Sequence, residues 1–319
     1  MIFPVIHSVL SCKALSELIL ENYDLKSIEK IEYFQTSLTD TYLINADKKK
    51  YILRAYRTHW RSKSDIQCEI DALNFLAKNQ ISVATPIAQK NKETLIQLNA
   101  PEGLRYLILF NYASGHPPCY ADNYKHEAEI YGKAFGKMHK TLENFNSPHQ
   151  RFKLDINYLL NEPLNIIEPY LKRRQKDWAT LTQLAKKLKQ QYLSYPKNSL
   201  QYGFCHGDLN TGNVHIDNNN ITLFDFDCCG YGYHAADISN YLWGARTNKI
   251  ENKIWPIFLE AYLKENTLNR HDLEAIPMFA NMRHIWHMGL HLKLSEEKGT
   301  YWIDDHYFSK QIELLKNWK

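Results

Sequence analysis

No stretch of about twenty consecutive apolar residues occurs in the 319-residue chain, so no membrane-spanning helix is expected. The six cysteines, Cys12, Cys68, Cys119, Cys205, Cys228 and Cys229, form no C-x-x-C pair and are too sparse for a disulfide scaffold. Reduced thiols and a cytoplasmic setting are therefore expected. No basic run interleaved with aromatics is present, which argues against nucleic acid as a partner, and the net charge of +4 mildly favours a small anionic ligand. The opening MIFPVIHSVLSC brings an apolar run to a cysteine as a lipoprotein leader does. It lacks a basic start and is broken by Pro4 and His7, so it is not read as a leader. There is no internal repeat. With 44% apolar and 13% aromatic residues the chain can bury a sizeable core and is long enough for two lobes. Nothing in it sets an oligomeric state.

What is present concentrates between Phe204 and Asp237, FCHGDLNTGNVHIDNNNITLFDFDCCGYGYHAAD. Val214, Ile216, Ile221 and Leu223 alternate with polar residues around Asp217-Asn218-Asn219-Asn220, which predicts a short hairpin. A turn centred on Asn219 would place Asn213 and Asp225 opposite one another, about 4.5 to 5.5 Å apart, at the open end of the ladder. A carboxamide and a carboxylate at that spacing suit magnesium, which takes few protein carboxylates and fills its shell with water and phosphate oxygens. Asp227 falls on the same strand face as Asp225, as an extra ligand or a support for the loop. Upstream, His206-Gly207-Asp208 adds a second carboxylate.

His206, Asp208 and Asn213 spell H-x-D-x-x-x-x-N, with Asp225 closing the second strand. This resembles the catalytic loop and metal aspartate of the aminoglycoside phosphotransferase and choline kinase-like family, relatives of the protein kinases. The resemblance implies an ATP- and Mg2+-dependent phosphotransferase, GTP not excluded, acting on a hydroxyl of a small molecule: an amino alcohol, a hydroxy amino acid, an aminosugar or an aminoglycoside. Asp208, with His206 beside it, is the implied catalytic residue; Asn213 and Asp225 are the implied metal ligands. Asp237 matches a further family aspartate, there a support of the loop, and is also a candidate for the acceptor pocket. The implied fold is α+β and protein-kinase-like. A small antiparallel-sheet nucleotide-binding lobe spans 1–112, and a larger helical lobe with catalytic loop, metal site and acceptor pocket spans 113–319.

Upstream, residues 31–56 read as strands, with Thr41–Ala46 and Tyr51–Tyr56 flanking an Asp47-Lys48-Lys49-Lys50 turn. In the resemblance, YILRAY carries the phosphate-gripping basic residue, here Arg54 where protein kinases have lysine. The loop 35–40 lies where a phosphate-covering loop belongs but contains no glycine, leaving backbone amides and the Ser37 and Thr39 hydroxyls as donors. A helix with a Ser64/Gln67 capping box follows, its apolar face formed by Ile66, Ile70, Leu73 and Ala77. Glu69 flanks that face, and the family pattern pairs it with Arg54. Strands 94–98 and 104–111 lead to a hinge at Phe110 to Ala113, where Phe110 and Tyr112 are candidates to hold adenine.

Helical periodicity then predicts helices over 127–142, 177–195, 255–264 and 278–294. His284, His287 and His291 share one face of the last, a spacing compatible with a transition metal. Trp286, Trp302, Asp304 and Asp305, with Tyr301, are candidates for an aromatic and acidic pocket for an amino-bearing alcohol, or for ordinary packing of the C-terminal segment. A protein serine/threonine kinase of the same fold, a nucleotide-binding pseudokinase, and a metal-dependent hydrolase using Asp208, Asp225 and Asp227 remain alternatives.

Overall fold

The computed structural model describes residues 3–318, which fall into two units. The first takes in the chain through Ser114 together with residues 146–150 and 222–224; the second takes in 115–145, 151–221 and the chain from Asp225 onward.

In the first unit α1 (Cys12–Asn22) precedes strands β1 (Ile28–Thr36), β2 (Thr39–Ala46) and β3 (Lys49–Tyr56), and α2 (Lys63–Lys78) precedes β4 (Ile96–Ala100) and β5 (Gly103–Asn111). The strands form one antiparallel sheet in the order β1-β2-β3-β5-β4. Tyr42, Ile44 and Ala46 alternate inward along β2, and with Leu53, Leu107 and Leu109 they close over Leu15, Ile19 and Tyr23 of α1. The β2–β3 turn narrows to Asp47 and Lys48, both left-handed at φ 50° and 61°, the two-residue geometry whose twist matches the strands. The Asp47 carboxylate also accepts the Lys26 and Ser27 amides at 3.0 and 3.2 Å, tying the turn to the entry of β1.

Helix α2 starts earlier than the sequence suggests. Its capping box is Ser62 with Asp65, not Ser64 with Gln67: the Ser62 hydroxyl accepts the Asp65 amide at 3.1 Å and the Asp65 carboxylate accepts the Ser62 amide at 2.9 Å. The Ser64 hydroxyl instead donates to the Gln150 carbonyl at 3.0 Å. The β3–β5 ladder ends at Ala55 and Leu107, and beyond it the fully buried side chain of Arg105 in β5 supplies the donors. Its guanidinium donates to the Ala55 and Tyr56 carbonyls at 3.1 and 3.0 Å and to Asp40 at 2.7 Å. Carbonyls that would otherwise be buried without a partner are thus satisfied.

The second unit runs α3 (Tyr124–Leu142), β6 (Lys153–Leu154), α4 (Glu162–Ile167), α5 (Gln175–Ser194), β7 (Tyr202–Cys205), β8 (Val214–Asp217), β9 (Asn220–Leu223) and β10 (Gly230–Tyr233). Helices α6 (His234–Thr247), α7 (Glu251–Glu265), α8 (Arg270–Lys293), α9 (Ser295–Lys298) and α10 (Asp305–Asn317) complete it. The last two residues of β9 count with the first unit. Helix α3 crosses α7 at glycines: a Cβ on Gly132 would lie 2.2 Å from the Phe258 carbonyl, and one on Gly136 2.7 Å from that of Tyr262. Helix α8 is buried on most of its circumference, which is why its apolar period is weak and why its N-terminal eight residues escape the predicted 278–294.

Burial holds several histidines neutral. Desolvation pushes His234 down to about 3 and His284 down to about 4. His287 and His291 are lowered in the same way. Each folded-state value lies below that of the unfolded chain, so the stability is present above about pH 6.5 and is lost as pH falls, at about 1.4 kcal/mol per histidine per pH unit. Denaturant melts between pH 7 and pH 5 should show an uptake of at least two protons on unfolding, and His234→Gln should flatten the slope.

Candidate active site

Strands β7 and β10 pair antiparallel with Cys205 opposite Gly230, so the chain leaves and re-enters the sheet at neighbouring positions. Between them lie the loop 206–213, the β8–β9 hairpin and the segment 225–229. The loop is held from α6. Asp237, 2% exposed in the first turn of that helix, accepts the backbone amides of His206 and Gly207 at 2.7 and 2.8 Å and the His139 ring at 3.0 Å. The Asn240 amide adds a longer contact of 3.4 Å. Burial alone would raise this carboxyl's pKa. The hydrogen bond and charge of His139, the charge of His206 and the Gly207 amide outweigh it and hold the group below the usual carboxylate range. The helix dipole acts in the same direction.

With its amide fixed, His206 lies fully buried against Phe226, ring centroids 4.3 Å apart, and its Nδ1 accepts the Asp208 amide at 3.3 Å. Gly207 is required here: at φ +80° a Cβ would stand 2.0 Å from the Cys228 carbonyl. Asp208 is anchored on one side only. Its Oδ1 accepts Asn210 Nδ2 at 2.9 Å and pairs with the Arg283 guanidinium, while among the described residues its Oδ2 has no partner. Tyr131 of α3 donates to the Asn210 carbonyl at 2.9 Å.

Asn213 and Asp225 lie beyond the hairpin ladder. The strands stop at Val214 and Leu223; Asn213 ends a tight 211–213 turn, and Asp225 adopts a left-handed backbone at φ 64°, ψ 57° that breaks the extended run. The expected cross-strand pairing is therefore absent, and Asp227 sits in a separate 226–228 turn, its carbonyl bonded by Arg151. Asn213 Nδ2 donates to the Asp208 carbonyl at 2.7 Å, which leaves its Oδ1 as the side chain's remaining donor of electrons. That oxygen and the Asp225 carboxylate are both hard oxygen donors, the chemistry that suits a hard divalent cation and not a soft one.

In the first unit Arg54 reaches Glu69 at 2.7 Å, while Tyr56 donates to the other oxygen of the same carboxylate at 2.8 Å. The Arg54 guanidinium lies 5.0 Å from the Phe110 ring centre. Tyr112, half-buried, faces Lys50 at 5.4 Å. The expected phosphate-covering loop is reduced to Ser37 and Leu38, since β1 runs through Thr36 and the buried Thr39 opens β2. Arg57 fixes it, donating to the Ser37 carbonyl at 3.0 Å and the Thr36 hydroxyl at 2.7 Å.

Trp286, Trp302, Asp304 and Asp305 each have packing or hydrogen-bond partners of their own. Trp286 is buried beside Arg283, whose guanidinium lies 4.1 Å from its ring. Trp302 packs on Tyr307, Asp304 caps α10 through the Tyr307 amide at 2.7 Å, and Asp305 is an exposed partner of Arg174. The histidines of α8 do not form a ligand cluster among the described residues: His284 Nδ1 accepts the Trp243 indole at 3.1 Å, and the His287 ring lies tilted at 56° against His291. Among the described residues one histidine-cysteine cluster, His139, Cys205 and His234, has its ligand atoms within 4.8 Å of one another. Its two rings are stacked 4.1 Å apart at 14°, so their in-plane lone pairs cannot meet at one ion, and His139 already bonds Tyr262 and Asp237. The sequence reading missed Arg283, Asn210 and His139. Only Asn210 carried a signal, as an Asx turn former inside the loop.

The profile of the phosphotransferase enzyme family matches residues 35–276. An uncharacterized protein of Synechocystis sp. is 31% identical over 315 residues, covering 98% of this chain and 87% of its own. An amicoumacin kinase of Bacillus subtilis is 28% identical over 280 residues, covering 83% and 80%. Among solved structures, an amicoumacin kinase in complex with AMP-PNP, Ca2+ and Ami superposes with a TM-score of 0.80 at 24% identity, covering 95% of this chain and 92% of that one.

Removing the charge of Asp237 leaves His139 and two loop amides facing a weaker acceptor. Asp237→Asn should cost about 3–5 kcal/mol in urea unfolding, whereas Asn213→Ala, which removes one hydrogen bond to a carbonyl, should cost about 1 kcal/mol.

Proposed function

The chain belongs to the phosphotransferase enzyme family, and on that basis we propose that it transfers the γ-phosphate of ATP, with Mg2+, to a hydroxyl of a small molecule. The observation that carries this reading is the one-sided anchoring of Asp208. With Oδ1 occupied by Asn210 and Arg283, Oδ2 is the oxygen left to receive the acceptor's hydroxyl hydrogen. In the transfer, the acceptor oxygen forms a bond to the γ-phosphorus as the bond from that phosphorus to the bridging β–γ oxygen breaks; ADP leaves, and the hydroxyl proton passes to Asp208 and then to solvent.

Asn213 Oδ1 and the Asp225 carboxylate would hold the metal, which when bound offsets charge on the phosphates. Arg54, kept in place by Glu69 and the Phe110 ring, would contact the nucleotide phosphates; its planar fork suits two phosphate oxygens at once. Catalysis on this reading is mostly positioning and charge stabilisation, with no covalent intermediate on the protein. The relative from Bacillus subtilis is named an amicoumacin kinase, which supports a small-molecule acceptor. The absence of a C-x-x-C pair and of disulfide-scaffold density in the sequence supports a cytoplasmic setting; no described helix is long and apolar enough to cross a membrane.

The test is thermal: melting temperatures with MgCl2, ATP, GTP and their combinations, on wild type and Asp225→Asn. Asparagine tolerates the left-handed backbone at this position, so the variant should keep its fold. Magnesium with ATP at 100-fold above the Kd should add about 2.7 kcal/mol of stability, and most of that gain should vanish in the variant. A gain indifferent to magnesium and to Asp225, or none with any nucleotide, would sink the reading.

A further inference from the structure

The segment 226–229, which follows Asp225, is gathered by one side chain. Arg151 Nε donates to the Cys229 carbonyl at 2.5 Å, and Nη2 donates to the Asp227 carbonyl and, at 3.4 Å, to that of Phe226. The fourth carbonyl, that of Cys228, passes Gly207 of the catalytic loop so closely that a Cβ there would stand 2.0 Å away. Every carbonyl of the segment thus meets a fixed neighbour, and the Cys229 amide closes the turn on the Phe226 carbonyl at 2.9 Å.

Arg151 is itself held in place. Two residues on, Lys153 and Leu154 pair with Tyr231 and Gly232 of β10. Gly230 lets this stretch come in close: a Cβ on it would lie 2.8 Å from the Phe152 carbonyl and 3.7 Å from Arg151 Cγ. The guanidinium lies 4.6 Å from the Phe152 ring centre, and that ring stacks on Tyr158 at 5.2 Å. A planar fork fixed at its base and against a ring presents its donors in set directions, which a lysine ammonium does not.

The consequence falls on Asp225. Its left-handed backbone, φ 64° and ψ 57°, is uncommon outside glycine and persists where the flanking chain over-determines it. The clamped turn supplies that constraint from the next residue onward, and Phe226 also lies against the His206 ring, centroids 4.3 Å apart. A carboxylate on so rigid a backbone keeps its oxygens within a narrow range of positions. Magnesium requires this, because it binds near-octahedral oxygens at about 2.0–2.1 Å, whereas calcium tolerates looser sets at about 2.3–2.6 Å.

Resting on the phosphotransferase reading, we propose that Arg151 is a positioning residue that sets the metal preference of the site. By clamping the turn behind Asp225 it biases the site toward Mg2+ over Ca2+. It acts through the backbone of 226–229 and not as a ligand. Once the clamp is loosened, Asp225 relaxes toward ordinary backbone angles, and the ion with the stricter geometry loses more.

The test is calorimetry on the full chain with a non-hydrolysable ATP analogue loaded with Mg2+ or with Ca2+. The ratio of the two Kd values reads the preference, and chelation of the ions by the analogue is common to every variant. Arg151→Gln should weaken binding of the magnesium complex about tenfold or more and that of the calcium complex by less than about threefold. Arg151→Lys, which keeps the charge and one donor, should fall between, and it gives the answer should the glutamine variant melt below the assay temperature. Retained binding of the calcium complex reports an intact fold. An equal loss of both complexes, or a lower melting temperature with the ratio unchanged, would assign Arg151 a structural role alone and overturn the proposal. Failure of wild type to bind the analogue with either ion would instead remove the phosphotransferase reading beneath it.

Discussion

The loop that carries Asp208 depends on one buried anion. Asp237 lies in the first turn of α6, away from solvent, and directs two backbone amides and an imidazole toward itself. A carboxylate withdrawn from water is tolerable only with such a set of donors, so the burial and the bonds require each other. Their joint effect is geometric. Once the His206 and Gly207 amides are fixed, the His206 ring reaches the Asp208 amide, and Gly207 passes the Cys228 carbonyl with no room for a Cβ.

The same logic recurs in each unit by itself. Asp40 and Arg105 close the end of the sheet, Arg54 and Glu69 join β3 to α2, and Arg283 meets Asp208. Buried pairs of this kind are weak contributors to net stability, because desolvation offsets most of the attraction. They are strong determinants of position, since either partner alone is costly. Arg54 illustrates the difference from a lysine: its guanidinium bonds Glu69 while lying against Phe110, which a compact ammonium could do less well.

The strands of the first unit and the residues of the H-x-D-x-x-x-x-N loop were legible in the sequence because period-two burial and motif spacing are local properties. Helix α1 leaves little trace in the sequence, since Cys12 to Asn22 carries a narrow stripe in which Leu15 and Ile19 alone are buried. The cross-ladder placement of Asn213 and Asp225 failed because a left-handed residue leaves no trace in apolar periodicity; aspartate is among the few side chains that accept that backbone. The carboxylates of Asp304 and Asp305 suit an amine by their chemistry, but they serve as a cap and an ion pair. Arg283 was invisible for the converse reason. A cation in the middle of a helix buried nearly all round has no sequence signature, and its partner lies 75 positions away.

The distance along the chain between the loop and its anchors also bears on the order of folding. His139 is 98 positions from Asp237, and His206 is 31 positions from it. Contacts that close such long segments form only after the chain entropy they remove has been offset by other packing. Helices α3 and α6 must therefore dock before the segment 206–213 can take its shape. During synthesis, α6 has yet to emerge when that segment does, so a nascent chain carries Asp208 before it carries the scaffold that aims it, a property of topology and not of the motif itself.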